Sequence, residues 1–260
     1  MNSATWKRFV KARERYREEI ERLNRALPKL AAVQQQLVDE RSPSYRVETP
    51  IVYNRALDDI RPDSEIRLIL VADNPGRREQ AAENRRYLVG PSGKIAEKFF
   101  RENPVLNIDF RANVIILNKT PIHTPRTIEL KELCRLSSRR HGGTALETAL
   151  AESQRFMASL LMEFHEVFTC KNKTMPVWII GYSEMKKGGV FEAYTNELKI
   201  LYDSTNLQGS IFLYRHFSMN QFTIDLKQQA IPGEPLTQTL NRIGAAYRER
   251  FLFPAQSLNS

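Results

Sequence analysis

Four short apolar runs, residues 66–71, 114–117, 177–180 and 211–214, recur along the chain with helical patterns between them. Runs this short, bounded by polar or glycine clusters, read as buried strands. The intervening segments, near residues 92–102, 144–167 and 190–202, carry apolar residues at helical spacing. Strand alternating with helix demands crossover connections, and these place helices on both faces of a parallel sheet. The expected fold is therefore α/β, a three-layer α/β/α sandwich around a four-stranded parallel sheet, with helices added at the N-terminus. Each run also ends in a polar or glycine cluster: Asp73-Asn74, Asn118-Lys119-Thr120, Gly181-Tyr182-Ser183 and Arg215-His216. In an open parallel sheet these clusters lie along one edge, where ligands bind. A single polar pocket follows from that convergence alone.

Residues 6–40 are heavily charged but carry one apolar stripe, Tyr16, Ile20, Leu23, Leu27 and Leu30, and Pro28 divides them into two helices. Residues 1–48 are read as a helical extension and linker, with the linker at 42–50, and 49–260 as the α/β domain. Residues 51–60 form a short element entering the core. The segment 131–143, with its run Cys-Arg-Leu-Ser-Ser-Arg-Arg-His-Gly-Gly, reads as a basic loop. Residues 237–251 read as a closing helix, and those at the end as loosely held.

The 260 residues hold 39 Lys and Arg against 30 Asp and Glu, a net charge of +9 and a pI near 9.6. That balance suits a polyanionic partner, nucleic acid above all. Cys134 and Cys170 are the two cysteines, too few for a disulfide framework or a zinc site, and they point to a reducing compartment. No apolar run reaches membrane-spanning length and the first residues lack a signal-peptide core. A cytoplasmic monomer without metal, cofactor or membrane contact is expected.

The densest segment is 66–100. Its strand runs into Asp73-Asn74-Pro75-Gly76, and a second glycine turn, Gly90-Pro91-Ser92-Gly93-Lys94, opens an amphipathic helix. Asn-Pro-Gly after an apolar strand, followed by Leu-Val-Gly-x-x-Gly-Lys, resembles the first motif of the uracil-DNA glycosylase superfamily. The single-strand-selective and mismatch-specific branches carry Gly-x-Asn-Pro-Gly. The iron–sulfur branch carries Gly-Glu-Ala-Pro-Gly, then Phe-Val-Gly-x-Ala-Gly. This chain mixes them: Ala72 replaces the leading glycine, Asp73 sits where one branch has its acid, and Asn74 matches the asparagine of the others. Two cysteines cannot hold the four-cysteine cluster of the iron–sulfur branch. The resemblance runs from about residue 49 to residue 222.

The resemblance implies an enzyme that acts on DNA: a monofunctional DNA glycosylase removing uracil or another deaminated base. That reaction passes through an oxocarbenium-like sugar while negative charge grows on the departing base, and the base must first leave the stack. The strand at 114–117 followed by Asn118 resembles the strand-plus-asparagine that reads the base edge; an amide offers a pyrimidine both a donor and an acceptor. His216-Phe217-Ser218 stands where the superfamily has His-Pro-Ser, so His216 would face the charge on the leaving base. Asn74 would orient the water, with Asp73 the alternative and the one able to act as a base. Leu88 falls in register with the base-stacking phenylalanine of relatives, one residue after Tyr87, which would stack better. Gly90, Ser92, Gly93 and Lys94 would lie against a DNA phosphate at a helix N-terminus, and Ser218 and Met219 in the loop that enters the duplex, with Met219 or Phe222 as the wedge. Lys171/Lys173, Lys186/Lys187 and Arg135/Arg139/Arg140 are further candidate phosphate contacts. Phe217 for proline and Asn74 for a carboxylate also fit a non-catalytic nucleic-acid or nucleobase binder of the same superfamily. A nucleoside hydrolase is the third reading, which the basic balance disfavours.

Overall fold

The computed structural model describes residues 1–40, 44–171, 173–203 and 205–254. Ser42 and Pro43 of the expected linker, and the final residues, lie outside them. The strands are β1 (Leu68–Ala72), β2 (Val114–Asn118), β3 (Val177–Ile180) and β4 (Ile211–Tyr214), all parallel, in the order β2-β1-β3-β4. Nine helices accompany them among the described residues: α1 (Ser3–Ala26), α2 (Leu30–Asp39), α3 (Arg77–Gln80), α4 (Pro91–Glu102), α5 (Glu129–His141), α6 (Ala145–Phe168), α7 (Glu192–Tyr202), α8 (Gln221–Gln229) and α9 (Leu236–Phe251).

Alternation along the strands sorts the core into two layers. Ile69, Val71, Ile115, Leu117, Val177, Ile179, Ile211 and Leu213 face a cluster shared with α1, α2, α6 and α7. Leu68, Leu70, Ala72, Val114, Ile116, Trp178, Ile180 and Tyr214 face the other, with α4, α8 and α9. The connection from β1 to β2 thus runs over one face through α4, and that from β2 to β3 over the opposite face through α6. The chain departs to opposite sides on either side of β1, so the sheet has its topological switch point between β1 and β3, where an open α/β sheet forms a crevice.

The stripe on the N-terminal helix is buried: Tyr16, Ile20 and Leu23 of α1 and Leu30 of α2 enter the first cluster. Pro28 falls in the break between them. Two expectations are corrected. The segment 131–143 is not a loop; residues 129–141 are α5. Leu130 and Leu133 are buried, acids occupy its first turn and Arg139, Arg140 and His141 its last, a charge order that favours a helix. The wealth of arginine masked this amphipathic spacing. Gln221 begins a helix rather than continuing a loop, and Phe222 is buried against Phe99, Trp178, Tyr214 and Phe217.

Candidate functional site

The carboxyl ends of β1, β3 and β4 and the loop after β2 surround a cavity of about 830 Å³, within the range of small-ligand sites. Ala72, Asp73 and Asn74 line it from β1, Gly181 and Tyr182 from β3, and Arg215 and His216 from β4. Leu88, Gly90 and Ser92, together with residues 124–128, complete the wall, and Ser218, Met219 and Gln221 close the far rim.

Asn74 is held in one orientation. Its Nδ2 donates to the Thr124 hydroxyl at 2.9 Å and to the Thr124 carbonyl at 3.3 Å. The Thr124 hydroxyl donates onward to the Arg126 carbonyl at 3.0 Å, so its lone pairs are what Asn74 meets, and the atom facing it must be the amide nitrogen. Oδ1 is left without a hydrogen bond from the described residues. The turn behind it is pinned as well. His123 Nδ1 bonds the Pro75 carbonyl at 2.7 Å and its Nε2 bonds the Tyr45 hydroxyl at 2.7 Å. A carbonyl only accepts, so Nδ1 carries the proton; burial holds this imidazole neutral, its pKa pushed down to about 4 against the opposing Pro75 bond.

Asp73 is engaged on both oxygens. Lys119 Nζ lies 2.5 Å from Oδ1, and the Thr127 hydroxyl donates to Oδ2 at 3.1 Å. Lys119 is wholly buried and also donates to the Ile180 carbonyl at 2.6 Å and more weakly to that of Gly181 at 3.4 Å. Burial lowers its pKa, and Asp73 opposes that shift. Gly181 has φ +77°, and a Cβ there would come within 2.6 Å of Asp73 Oδ1; only glycine lets the end of β3 approach the carboxylate.

His216 is half-buried. The Ser218 backbone N–H donates to its Nδ1 at 3.0 Å, and the Ser218 hydroxyl lies 2.8 Å from the same atom. Nδ1 is therefore an acceptor, and the neutral ring carries its proton on Nε2. Burial lowers the pKa of His216; Asp73 raises it and Lys119 lowers it further. Across the cavity, Glu79 accepts from the Gly76 N–H at 3.0 Å. Burial pushes this carboxyl up to about 7, opposed by the backbone N–H groups of Gly76, Leu88 and Gly90. One side chain thus binds both glycine turns.

Of the residues singled out in the sequence, Asp73, Asn74, Leu88, Gly90, Ser92, His216, Ser218 and Met219 line this cavity, and Tyr87, Gly93, Lys94 and Asn118 do not. The Tyr87 hydroxyl is 2.5 Å from that of Tyr16 on α1 and donates to the Val52 carbonyl at 2.7 Å. Its ring is buried in the core and out of reach of a ligand in the cavity, whereas Leu88 sits at the cavity wall with φ +52°. Gly93 packs under Leu88: a Cβ would lie 1.5 Å from the Leu88 carbonyl oxygen. Lys94 points to solvent. Asn118 is buried beside Ala72, its register partner on β1, and both its amide atoms lack a hydrogen-bond partner.

The cationic candidates are displaced too. Lys171/Lys173, Lys186/Lys187 and Arg135/Arg139/Arg140 are exposed, but none lines the cavity; Arg77, Arg78, Arg126 and Arg215 do. Sequence reading passed over Arg77, Arg78 and Arg126, and also Thr124, Thr127 and Glu79; Arg215 and Lys119 it placed in strand-end clusters without giving them a role. Lys119 stood in a polar cluster already marked as a strand end, and Thr124 to Thr127 follow within eight residues of it. Among the described residues Met219 is the most exposed large apolar side chain, 78% accessible, with backbone at φ +51°. Among the described residues, no group of three or more His, Cys, Asp or Glu is placed to hold a metal ion, and no helix is long and apolar enough to cross a membrane. A scan against protein-family models finds no match, and a search of curated proteins finds none either.

Proposed function

We propose that this chain is a monofunctional DNA glycosylase that hydrolyses the N-glycosidic bond of uracil or another deaminated base flipped into the cavity. The observation that carries the reading is the pairing, across one cavity, of the free Asn74 oxygen with the His216 Nε2–H. In the proposed reaction Asn74 Oδ1 orients a water beneath the sugar, and the bond to the base breaks as negative charge moves onto the base. His216 donates from Nε2 to the oxygen where that charge gathers, a preorganised hydrogen bond that strengthens as the bond breaks. The water oxygen joins C1′, and its proton is released to solvent or to the departing base. A carboxylate is not needed if the leaving group is good, and Asp73 is already held by Lys119 on one oxygen and Thr127 on the other.

Asn118 lies behind the cavity wall beside Ala72, so it enters base recognition only where a bound base displaces that wall. A buried amide with no partner costs the fold about 1–3 kcal/mol, and an apolar residue would avoid that cost. Its place at the carboxyl end of β2, on the sheet face shared with Ala72, suits an amide reserved for a base edge. Arg77, Arg78, Arg126 and Arg215 at the mouth fit flanking phosphates, and the exposed Met219 fits the gap left by a flipped nucleotide.

A second reading, a non-catalytic binder, is favoured by the ties of Asp73 to Lys119 and Thr127, which oppose its use as a base where the leaving group is poor. One experiment separates the two. Oligonucleotides carrying uracil, hypoxanthine or xanthine, single-stranded and paired, are incubated with protein and then with alkali. Strand scission that disappears in Asn74→Ala is the expected result. No scission from any lesion, with binding that weakens steeply with salt, would replace the enzyme by the binder.

A further inference from the structure

We propose that Tyr182, Tyr247 and Phe251 form a stacking platform beside the cavity mouth for an unpaired nucleobase next to the flipped one, so that the strand bound there is single-stranded DNA. The inference rests on the function proposed above and names the form of DNA that the site takes. Tyr182 belongs to both features. It lines the cavity at the end of β3, and its ring lies 4.6 Å from that of Phe251 with the two planes 17° apart. Tyr247 completes the group, 4.8 Å from Tyr182 and 5.9 Å from Phe251.

The group is anchored by hydrogen bonds yet reaches the surface. The Tyr247 hydroxyl donates to Asp225 Oδ1 at 2.9 Å and accepts from Gln229 Nε2 at 2.7 Å. Asp225 is buried and also pairs with Arg215 at 3.3 Å. Arg215 lines the cavity, so one carboxylate fixes both a ring of the stack and a cation of the mouth. Phe251, the last residue of α9, is 37% exposed and joins neither core cluster. A lone exposed ring needs no explanation. A ring stacked on a cavity-wall tyrosine, with cations around it, matches a recognised mode of binding.

The charges agree with that mode. Arg250, itself exposed, lies over the Phe251 ring at 5.0 Å. Lys186 and Lys187, also exposed, follow Tyr182 in the same connection. Against these cations stand Asp225, already paired with Arg215, Glu249, paired with Arg248 at 2.8 Å, and Glu184 at the rim. Every base presents a π-face whatever its identity, and aromatic rings with cations beside them grip single strands without reading sequence. In a duplex the base beside a flipped nucleotide stays paired and stacked on its own neighbours, and its face is not offered to the protein.

The test is a cycle between ring and base. A short single-stranded oligonucleotide carries uracil with fluorine on the 2′ carbon of its sugar, which slows cleavage by disfavouring the oxocarbenium ion. Each neighbouring base is replaced in turn by an abasic spacer, and affinity for the whole chain is read by fluorescence anisotropy at fixed salt. One neighbouring position is expected at which loss of the base weakens binding to wild type about tenfold and leaves binding to Phe251→Leu nearly unchanged. Leucine keeps an apolar contact with Tyr182 but has no π-face, so a merely structural ring does not produce this coupling. Phe251→Trp is expected to restore it, and annealing the complementary strand to remove it. Equal losses in wild type and Phe251→Leu at every position overturn the platform, and coupling as large in the duplex overturns the single-strand assignment. Coupling without base release from an unmodified uracil strand sinks the enzyme reading alone; base release without coupling sinks the platform alone.

Discussion

The Asn74 amide nitrogen is bonded to the Thr124 hydroxyl at 2.9 Å, the shortest of the contacts that decide which end of the amide faces the cavity. Thr124→Val removes the closest acceptor at nearly constant volume and leaves the amide only its longer bonds to the Thr124 and Pro75 carbonyls. Single-turnover base release is expected to slow by about tenfold to a hundredfold, with DNA affinity little altered and with Thr124→Ser close to wild type. Equal losses in affinity and rate would mean that Thr124 supports the loop and not the oxygen.

Asn118 predicts a trade between stability and recognition. Leucine is close to asparagine in shape and has no polar atoms to leave unpaired. Asn118→Leu should raise the free energy of unfolding by about 1 kcal/mol or more, measured by urea denaturation, while removing discrimination between uracil and other bases. A destabilised variant would show that the amide is satisfied in the folded protein.

Three buried groups contribute in opposite senses to how stability varies with pH. Glu79 is held up to about 7, and His123 and His165 are pushed down to about 4, burial being the leading cause in each. Between about pH 5 and 6 the unfolded chain has lost the Glu79 proton and gained one on each ring, whereas the folded protein keeps the first and lacks both others. The unfolded state binds one proton more, so these groups make stability rise with pH by about 1.4 kcal/mol per unit. The Glu79 contribution alone runs the other way: it is present below the ordinary carboxylate pKa of 4.5 and is lost as pH rises through about 7. Glu79→Gln should therefore roughly double the slope and leave the variant about 3 kcal/mol more stable than wild type at pH 8. Urea unfolding across this range reads the effect, and an unchanged slope would place the Glu79 carboxyl in water.

Gly93 and Gly90 stand three residues apart at the start of α4 and should respond very differently to alanine. A Cβ at Gly93 would overlap the Leu88 carbonyl, while one at Gly90 meets nothing within 4 Å. Gly93→Ala is expected to cost about 3 kcal/mol and Gly90→Ala about 1 or less. A mild Gly93→Ala would mean that the Leu88 turn moves freely.

The four strands were legible because their apolar runs are uninterrupted and their ends abruptly polar, and the switch point follows once their order is known. The site was half legible for the same reason. Asp73, Asn74 and His216 stand directly at strand ends, where spacing along the chain and position in space agree. Thr124, Thr127 and Arg126 lie beyond a strand end in a loop whose path back across β1 no periodicity encodes. Tyr87 and Leu88 were separable only by packing: adjacent side chains leave the backbone in opposite directions, and the one with a hydroxyl turned inward to Tyr16. Lys119 was hidden by its residue type, since a lysine in a polar cluster is taken for a solvated one until its burial is seen.

The bond between Tyr16 and Tyr87 ties the first helix to the residue next to the cavity wall, and Tyr16 also lies 3.2 Å from the same Val52 carbonyl. Trimming the chain to begin at residue 49 would remove Tyr16 and leave a tyrosine-sized hole against Tyr87, the neighbour of Leu88. A shortened protein could keep every residue of the pocket and still lose its shape, so the helices at the start of the chain belong to the mould in which the pocket is cast.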